Sequence, residues 1–478
     1  MQPSDVPPLS LRPDEFRRLG HRVIDVIADH LEHVAERPPI TVGTPDELRA
    51  RLDEPAPESP TPPDAVLDQV LRDVLPFVQH GDHPRFFARI GSPGNPIGVL
   101  ADALAVGHNA FVGSWTGGSG PATIELVTLE WLRELFGLPE GTEGAFVSGG
   151  SVASLTALAA ARAVVLGGHD PRATVYLSDQ AHASIARALR ILGCAPGQIR
   201  TLESDAELRM PVAALRDAIT RDRAAGARPF CVIATAGSTN TGAVDPLEAI
   251  ADVCAHEGLW LHADAAYGGP AVLSEAGRRV LQGLERVDSL AVDPHKWLFQ
   301  PYEIGCVLVR RPGALEAAFA LHPEYLADVS GVPGEVNFFD RGVQLTRGFR
   351  ALKLWMTIKV YGLAAVRDAV AHGIALAEHA ERVLRDGRGW DVVTPAQLGI
   401  VSFRPVLDQL EDEPAVVAAL VAGMTADGYA AVSSTTLKGR SVLRLCTINP
   451  RTTFDDITRT IDRLDRVAVR LNRAWHNA

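Results

Sequence analysis

Apolar residues recur at three- and four-residue steps between positions 12 and 36, at Phe16, Leu19, Val23, Ile27, Leu31 and Val34, a spacing that predicts an amphipathic helix. Pro38 and Pro39 stop it, and the proline-rich run from Pro55 to Val66 reads as a loop or hinge. The segment 1–90 is therefore expected to be helical, with prolines between its helices. Such a piece cannot bury its apolar faces alone, and packing on another subunit would supply the missing surface.

From Gly91 to Leu352 the pattern changes. Short apolar runs at 173–177, 230–236, 259–264, 289–293 and 304–310 read as buried strands, and the segment DPLEAIADVCAHEG between the second and third has helical spacing. Strands alternating with helices predict an α/β domain over 91–352 with a mainly parallel sheet. From Lys353 the chain opens on a long helical pattern and ends with VLRLCTI and another helix, which predicts a smaller α+β domain over 353–478.

Composition narrows the function classes. Hydrophobic residues make up 46% and charged residues 22%, the balance of an ordinary globular protein. A formal net charge of -12 argues against a nucleic-acid partner, because phosphate backbones demand a basic face. No run of about 18 apolar residues predicts a membrane span. The opening residues lack the basic-then-apolar order of an export signal, and none of Cys194, Cys231, Cys254, Cys306 and Cys446 forms a C-x-x-C pair. A reducing, cytoplasmic setting without a metal site is the expectation.

Lysine is scarce: Lys296, Lys353, Lys359 and Lys438 are the only ones. Lysine alone among side chains forms an imine with a carbonyl cofactor, so each position is informative. Lys296 follows the strand SLAV, between His295 and Trp297, where a solvated surface charge is not expected. The other three read as ordinary surface lysines.

Three more features sit at strand ends. Gly149-Gly150-Ser151 lead from a strand-like piece into an alanine-rich helix, whose free N–H groups suit a phosphate, although Ser151 is equally consistent with a plain helix cap. Asp264 ends LWLHAD, where a carboxylate can keep a pyridine nitrogen protonated or simply serve a turn. His182, in SDQAHASI, can stack on a flat ring, transfer a proton, or hydrogen-bond within its loop. One ligand unites a phosphate, an aromatic nitrogen and an aldehyde: pyridoxal 5'-phosphate.

Six longer motifs stand in register along the chain: HPRFF (83–87), GPATIELVTLEWL (120–132), SDQAHASI (178–185), LHADAAYGG (261–269), DPHKWL (293–298) and FRALKLWMTIKVYG (349–362). Through them nearly the whole chain resembles the group II pyridoxal-phosphate-dependent decarboxylases, a family that includes aromatic L-amino acid, histidine, glutamate and 2,4-diaminobutyrate decarboxylases. The resemblance implies fold type I, as in aspartate aminotransferase, and a homodimer with active sites shared between subunits. It implies decarboxylation of an L-amino acid, aromatic by preference, to a primary amine and CO2, through a Lys296 aldimine and a quinonoid. Asp264 would pair with the ring nitrogen, His182 stack on the ring, and Ala266 lie against its face. Gly150, Ser151, Thr239 and His295 match phosphate positions. Tyr325 matches a loop tyrosine linked to protonation of the product carbon.

The substrate wall departs from the animal aromatic enzymes. Phe87, Arg89, Ile90 and Phe111 match its positions, but Arg89 and Ile90 stand where those enzymes carry aromatics, Gly81 replaces another, and Phe111 is expected from across the interface. Arg89 would meet a substrate carboxylate or phenol, or form a salt bridge unrelated to substrate. Asp293 stands where those enzymes have asparagine; other members of the family carry aspartate there, and it reads as a tolerated variation near the phosphate. Alternatives are therefore an acidic or diamino acid substrate, oxidative decarboxylation–deamination to an aldehyde, and a catalytically silent homologue. The retained Tyr325 and His182 favour simple decarboxylation.

Overall fold

The structure is a computed structural model that describes residues 9–321, 333–406 and 413–476. Three helices begin it: α1 (Pro13–His33), α2 (Pro45–Leu52) and α3 (Pro63–Asp73). Each starts with proline, whose fixed φ suits a first turn that has no hydrogen-bond acceptor for its nitrogen. The predicted helix over 12–36 forms as α1 plus one tight turn at Val34–Glu36. Arg18 and Arg22 both grip Asp64 and so tie α1 to α3.

The large domain follows: α4 (Pro96–Gly107), α5 (Trp115–Leu135), β1 (Glu143–Val147), α6 (Gly150–Leu166), β2 (Ala173–Ser178), α7 (Ala183–Ile191), β3 (Ile199–Leu202), α8 (Val212–Ala224), β4 (Arg228–Thr235), α9 (Leu247–Glu257), β5 (Trp260–Asp264), α10 (Glu275–Val280), β6 (Ser289–Val292), β7 (Gly305–Val309) and α11 (Ala314–Phe319). All five strands predicted from apolar runs are present. The seven strands order as β1-β7-β6-β5-β4-β2-β3, with β7 antiparallel to both neighbours and the other pairs parallel. The carboxyl ends of β1, β2, β4, β5 and β6 consequently share one edge, the place where open α/β sheets bind ligands. Alanine-rich α6 lies flat on the sheet because small side chains permit close approach, and Ala153, Ala157 and Ala160 are fully buried.

The C-terminal part comprises α12 (Ala351–Asp386), β8 (Trp390–Gln397), β9 (Ile400–Pro405), α13 (Glu413–Asp427), β10 (Ser433–Leu437), β11 (Arg440–Cys446) and α14 (Phe454–His476). Its four strands form an antiparallel sheet, β10-β11-β9-β8, over a core of its own that includes Leu376, Phe403, Leu420 and Leu443. Among the described residues α12 is the one helix long and apolar enough to cross a membrane. It is broken at Gly362, where φ +79 favours glycine, and it packs on α4, α5 and α14. Its Ile374 belongs to the large-domain core and its Leu376 to the smaller one, so it ties the two together.

One expectation fails here. Lys353 is not a surface lysine: its side chain is 2% exposed, it donates to the carbonyls of Glu303 and Pro301, and it faces Asp102 at 3.5 Å. Burial lowers its pKa. Its partners lie about fifty residues or more away, outside the reach of local pattern.

Candidate active site

The carboxyl edge of the sheet encloses a cavity of about 180 Å3. Its lining brings together eight residues expected from sequence: Gly150, Ser151, His182, Thr239, Asp264, Ala266, His295 and Lys296. Gly149, Ser184, Thr235, Gly237, Tyr267 and Asp293 complete it.

At one end α6 begins. No side chain caps its N-terminus, and the nearby backbone leaves no room for side chains. A Cβ on Gly150 would lie 3.0 Å from both Ala266 Cβ and Asp293 Oδ2, and one on Gly305 only 2.4 Å from Gly149 Cα. Uncapped N–H groups at the positive end of a seventeen-residue helix form an anion cradle. His295 closes this end. The Ile304 N–H donates to its Nδ1, and burial lowers its pKa.

At the other end β5 delivers Asp264, in register beside Thr235 of β4 and Ala291 of β6. Burial raises the Asp264 carboxyl and the Lys296 ammonium pulls it back down. The Ala266 N–H donates to its Oδ1 at 3.2 Å. His182 caps α7, its Nδ1 accepting from the Ser184 N–H at 3.3 Å, which fixes the plane of its ring over the cavity. Lys296 lies between the two ends, its Nζ 2.9 Å from Asp293 Oδ2. Trp297 points the other way into the core, stacked on Tyr267 at 5.2 Å, and the Tyr267 hydroxyl accepts from the Gly399 N–H.

Two buried polar atoms of the lining have no hydrogen-bond partner among the described residues, Thr235 Oγ1 and Asp293 Oδ1. Orphaned polar atoms beside a cavity mark groups that await a ligand or water. An anion cradle, a carboxyl at the far end and an amine between them fit pyridoxal phosphate. Thr235 and Asp293 were not picked as binding residues from sequence. Thr235 ends β4 and Asp293 follows β6 on the same edge, and that shared position was the available signal.

Phe87, Arg89 and Ile90 do not line this cavity, and Phe111, expected to reach the site of a neighbouring subunit, does not line that of its own chain. Phe87 is 1% exposed in the C-terminal core. Arg89 has φ +54 and its guanidinium donates to Gln79 Oε1 at 3.0 Å. Its expected salt bridge is instead a bond to a neutral amide. Ile90 packs on the large-domain core. Phe111 bridges to Gly348 and folds over Gly113, Gly117 and Gly118 of its own chain. Tyr325 lies outside the described residues.

Away from the cavity, His30, His80 and Asp82 come close enough to hold a metal ion. His30 already bonds Asp82 Oδ2 at 2.9 Å, and Arg451 stands 3.6 Å from the same oxygen. The carboxylate charge is thus met within the chain, and the group carries no metal assignment.

Residues 45–406 match the model of the pyridoxal-dependent decarboxylase conserved domain. The chain is 47% identical to an aromatic-L-amino-acid decarboxylase of Bacillus atrophaeus, over 96% of this chain and 97% of the other. It is 32% identical to a phenylacetaldehyde synthase of Arabidopsis thaliana, covering 90% and 91% of the two chains. Among solved structures, tryptophan decarboxylase (TDC) of Oryza sativa with PLP and tryptamine superposes with a TM-score of 0.91 at 30% identity, covering 97% of this chain and 99% of that one.

Proposed function

The chain belongs to the pyridoxal-dependent decarboxylase family, and from that premise we propose that it removes the carboxylate of an aromatic L-amino acid as CO2 and releases the primary amine. The fold is that of the type I PLP enzymes. What carries the reading is the meeting of Lys296, Asp264, His182 and the uncapped start of α6 around one cavity. Identity to an aromatic-L-amino-acid decarboxylase across nearly the full chain supports the substrate class.

When bound, pyridoxal phosphate supplies an aldehyde for the substrate amine and a ring that accepts the electron pair left by CO2. The residues then divide the work. The α6 N-terminus, Ser151, Thr239 and His295 bind phosphate. Asp264 holds a proton at the ring nitrogen, which makes the ring a better electron acceptor. His182 and Ala266, which both line the cavity, would hold the ring in place. Lys296 provides the amine that the substrate displaces. Tyr325 is proposed to deliver the proton to the former α carbon. Product analysis by mass spectrometry, after incubation with Trp, Tyr, Phe, Dopa, Glu and 2,4-diaminobutyrate, tests the reading. An amine from an aromatic substrate is expected. An amine only from Glu or diaminobutyrate would overturn the substrate class.

Asp264→Asn removes the charge that stabilises the protonated ring. Turnover is expected to fall about 10²- to 10³-fold, the range seen when one preorganised electrostatic partner is lost. Covalent capture of the cofactor by Lys296 persists, so absorbance and steady-state rate separate in this variant. Unchanged turnover would remove Asp264 from its role.

A second reading, aldehyde formation, is favoured by one observation, the likeness to a phenylacetaldehyde synthase. Retention of Tyr325 and His182 supports the amine-forming branch. Tyr325→Phe is expected to turn the aldehyde from a minor into a major product, read by peroxide and ammonia release. A constant product ratio would exclude Tyr325 as the proton donor.

We infer further that the working unit is a homodimer. Support comes from unpartnered apolar surface: α1 buries none of its residues and leaves Phe16 67% exposed, while Leu104 and Val106 of α4 are 49% and 75% exposed. Patches of this kind mark interaction sites. Light scattering is expected to give twice the chain mass of 51.1 kDa, and a monomer at micromolar concentration would contradict it.

A further inference from the structure

The aspartate that opens DPHKWL sits deeper in the site than a tolerated variation would. Asp293 follows β6, its side chain is 4% exposed, and its Oδ2 lies 2.9 Å from Lys296 Nζ. The same oxygen is 3.7 Å from His295 Nε2, and it would be 3.0 Å from a Cβ on Gly150, so the carboxylate rests under the positive end of α6. Its other oxygen is buried and has no hydrogen-bond partner among the described residues. A buried carboxylate whose one cationic partner among the described residues stands at contact distance binds that partner strongly.

We propose that Asp293 is a positioning residue that holds the Lys296 amine as an ammonium ion whenever it is not covalently engaged, and that it thereby sets the pH at which the site takes up its cofactor. This rests on the reading of Lys296 as the cofactor lysine. The chemistry fixes the sign. The ammonium must lose one proton before its lone pair can attack the aldehyde carbon. The carbon–nitrogen double bond then forms, and the aldehyde oxygen leaves as water with the two remaining N–H hydrogens. A carboxylate that stabilises the ammonium therefore moves the reaction to higher pH.

The other groups facing Lys296 do not replace this contact. Asp264 and Tyr302 act on it at longer range, and His182, His295 and Cys446 complete its titratable surroundings. Burial pushes the ammonium pKa down, Asp293 pushes it up more than any other group, and the balance lies above the ordinary lysine value. With a carboxamide at position 293 the largest opposing cause is gone and burial prevails.

The test is the rate at which the full-length chain, stripped of cofactor, captures pyridoxal phosphate, followed by absorbance between pH 5.5 and 9.5. Asp293→Asn is expected to move the midpoint of the rate profile about one unit or more toward acid, a gain of about tenfold at pH 7. Asp293→Glu, which restores the charge, is expected to recover the wild-type profile in part. A purely structural role for Asp293 changes the yield of folded protein but not the midpoint. A profile for Asp293→Asn that coincides with wild type overturns the proposal. Lys296→Ala in parallel isolates the underlying reading, because covalent capture that survives there means another lysine is involved.

If Asp293→Asn does not fold, amine labelling of the cofactor-free wild-type chain decides. The labelling midpoint of Lys296 is expected at or above that of exposed Lys359, read by peptide mass spectrometry. A midpoint well below Lys359 overturns the proposal.

Discussion

Lys296→Ala is expected to lose the covalent cofactor and to cut turnover on the order of 10⁴-fold or more, the scale seen when a covalent catalytic group is deleted. No other lysine can substitute. Lys353 is buried beyond the loop Pro301–Glu303 and held by its carbonyls, Lys359 lies exposed on α12, and Lys438 donates to the Asp205 carbonyl. The four groups at the ends of the cavity remain in place, so the variant still binds pyridoxal phosphate without a bond. Dialysis and absorbance, together with amine formation, check this. Turnover within tenfold of wild type would remove Lys296 from the centre of the account.

Arg347→Ala is expected to destabilise the chain by about 3–5 kcal/mol, because it leaves a buried carboxylate without its cation. The Arg347 guanidinium is 4% exposed and lies 2.5 Å from the fully buried Glu125. It also donates to the carbonyls of Val112 and Phe146, while Glu125 accepts from the Phe146 N–H. The cluster thus joins α5, the segment before α12 and β1, the strand that delivers the phosphate cradle. Native stability of globular proteins is only about 5–15 kcal/mol, so the loss takes a large share of it. Denaturant titration measures the cost. The double variant Arg347→Ala/Glu125→Leu is expected to recover part of it, since the stranded charge goes with its partner. A single variant as stable as wild type would mean that the pair contributes nothing to the fold.

How far the sequence reaches can be followed residue by residue. The strands that end in Ser178, Thr235, Asp264 and Val292 are short, apolar and buried on both faces, so their composition announced them. The edge strand β3, with its mixed burial, did not stand out. Lys296, Asp264, His182 and Ser151 were legible because each follows a buried strand, and that topological position is written locally. Contacts set by tertiary packing were not legible. Arg89 meets Gln79 rather than an acid, Phe87 enters the core of the C-terminal sheet, and Lys353 is buried against Asp102. Each depends on how separate elements pack, which no local period encodes. Asp293 was visible as a departure from a motif, but its meaning came only with the 2.9 Å contact to Lys296.

On the proposed reading the cofactor is held covalently at one lysine of four. Borohydride reduction of the cofactor-loaded protein, followed by peptide mass mapping, tests it most directly. A pyridoxyl-phosphate adduct is expected on the peptide that contains Asp293-Pro294-His295-Lys296 and on no other. An adduct on Lys353, Lys359 or Lys438, or none at all on a chain that still turns over substrate, would contradict it.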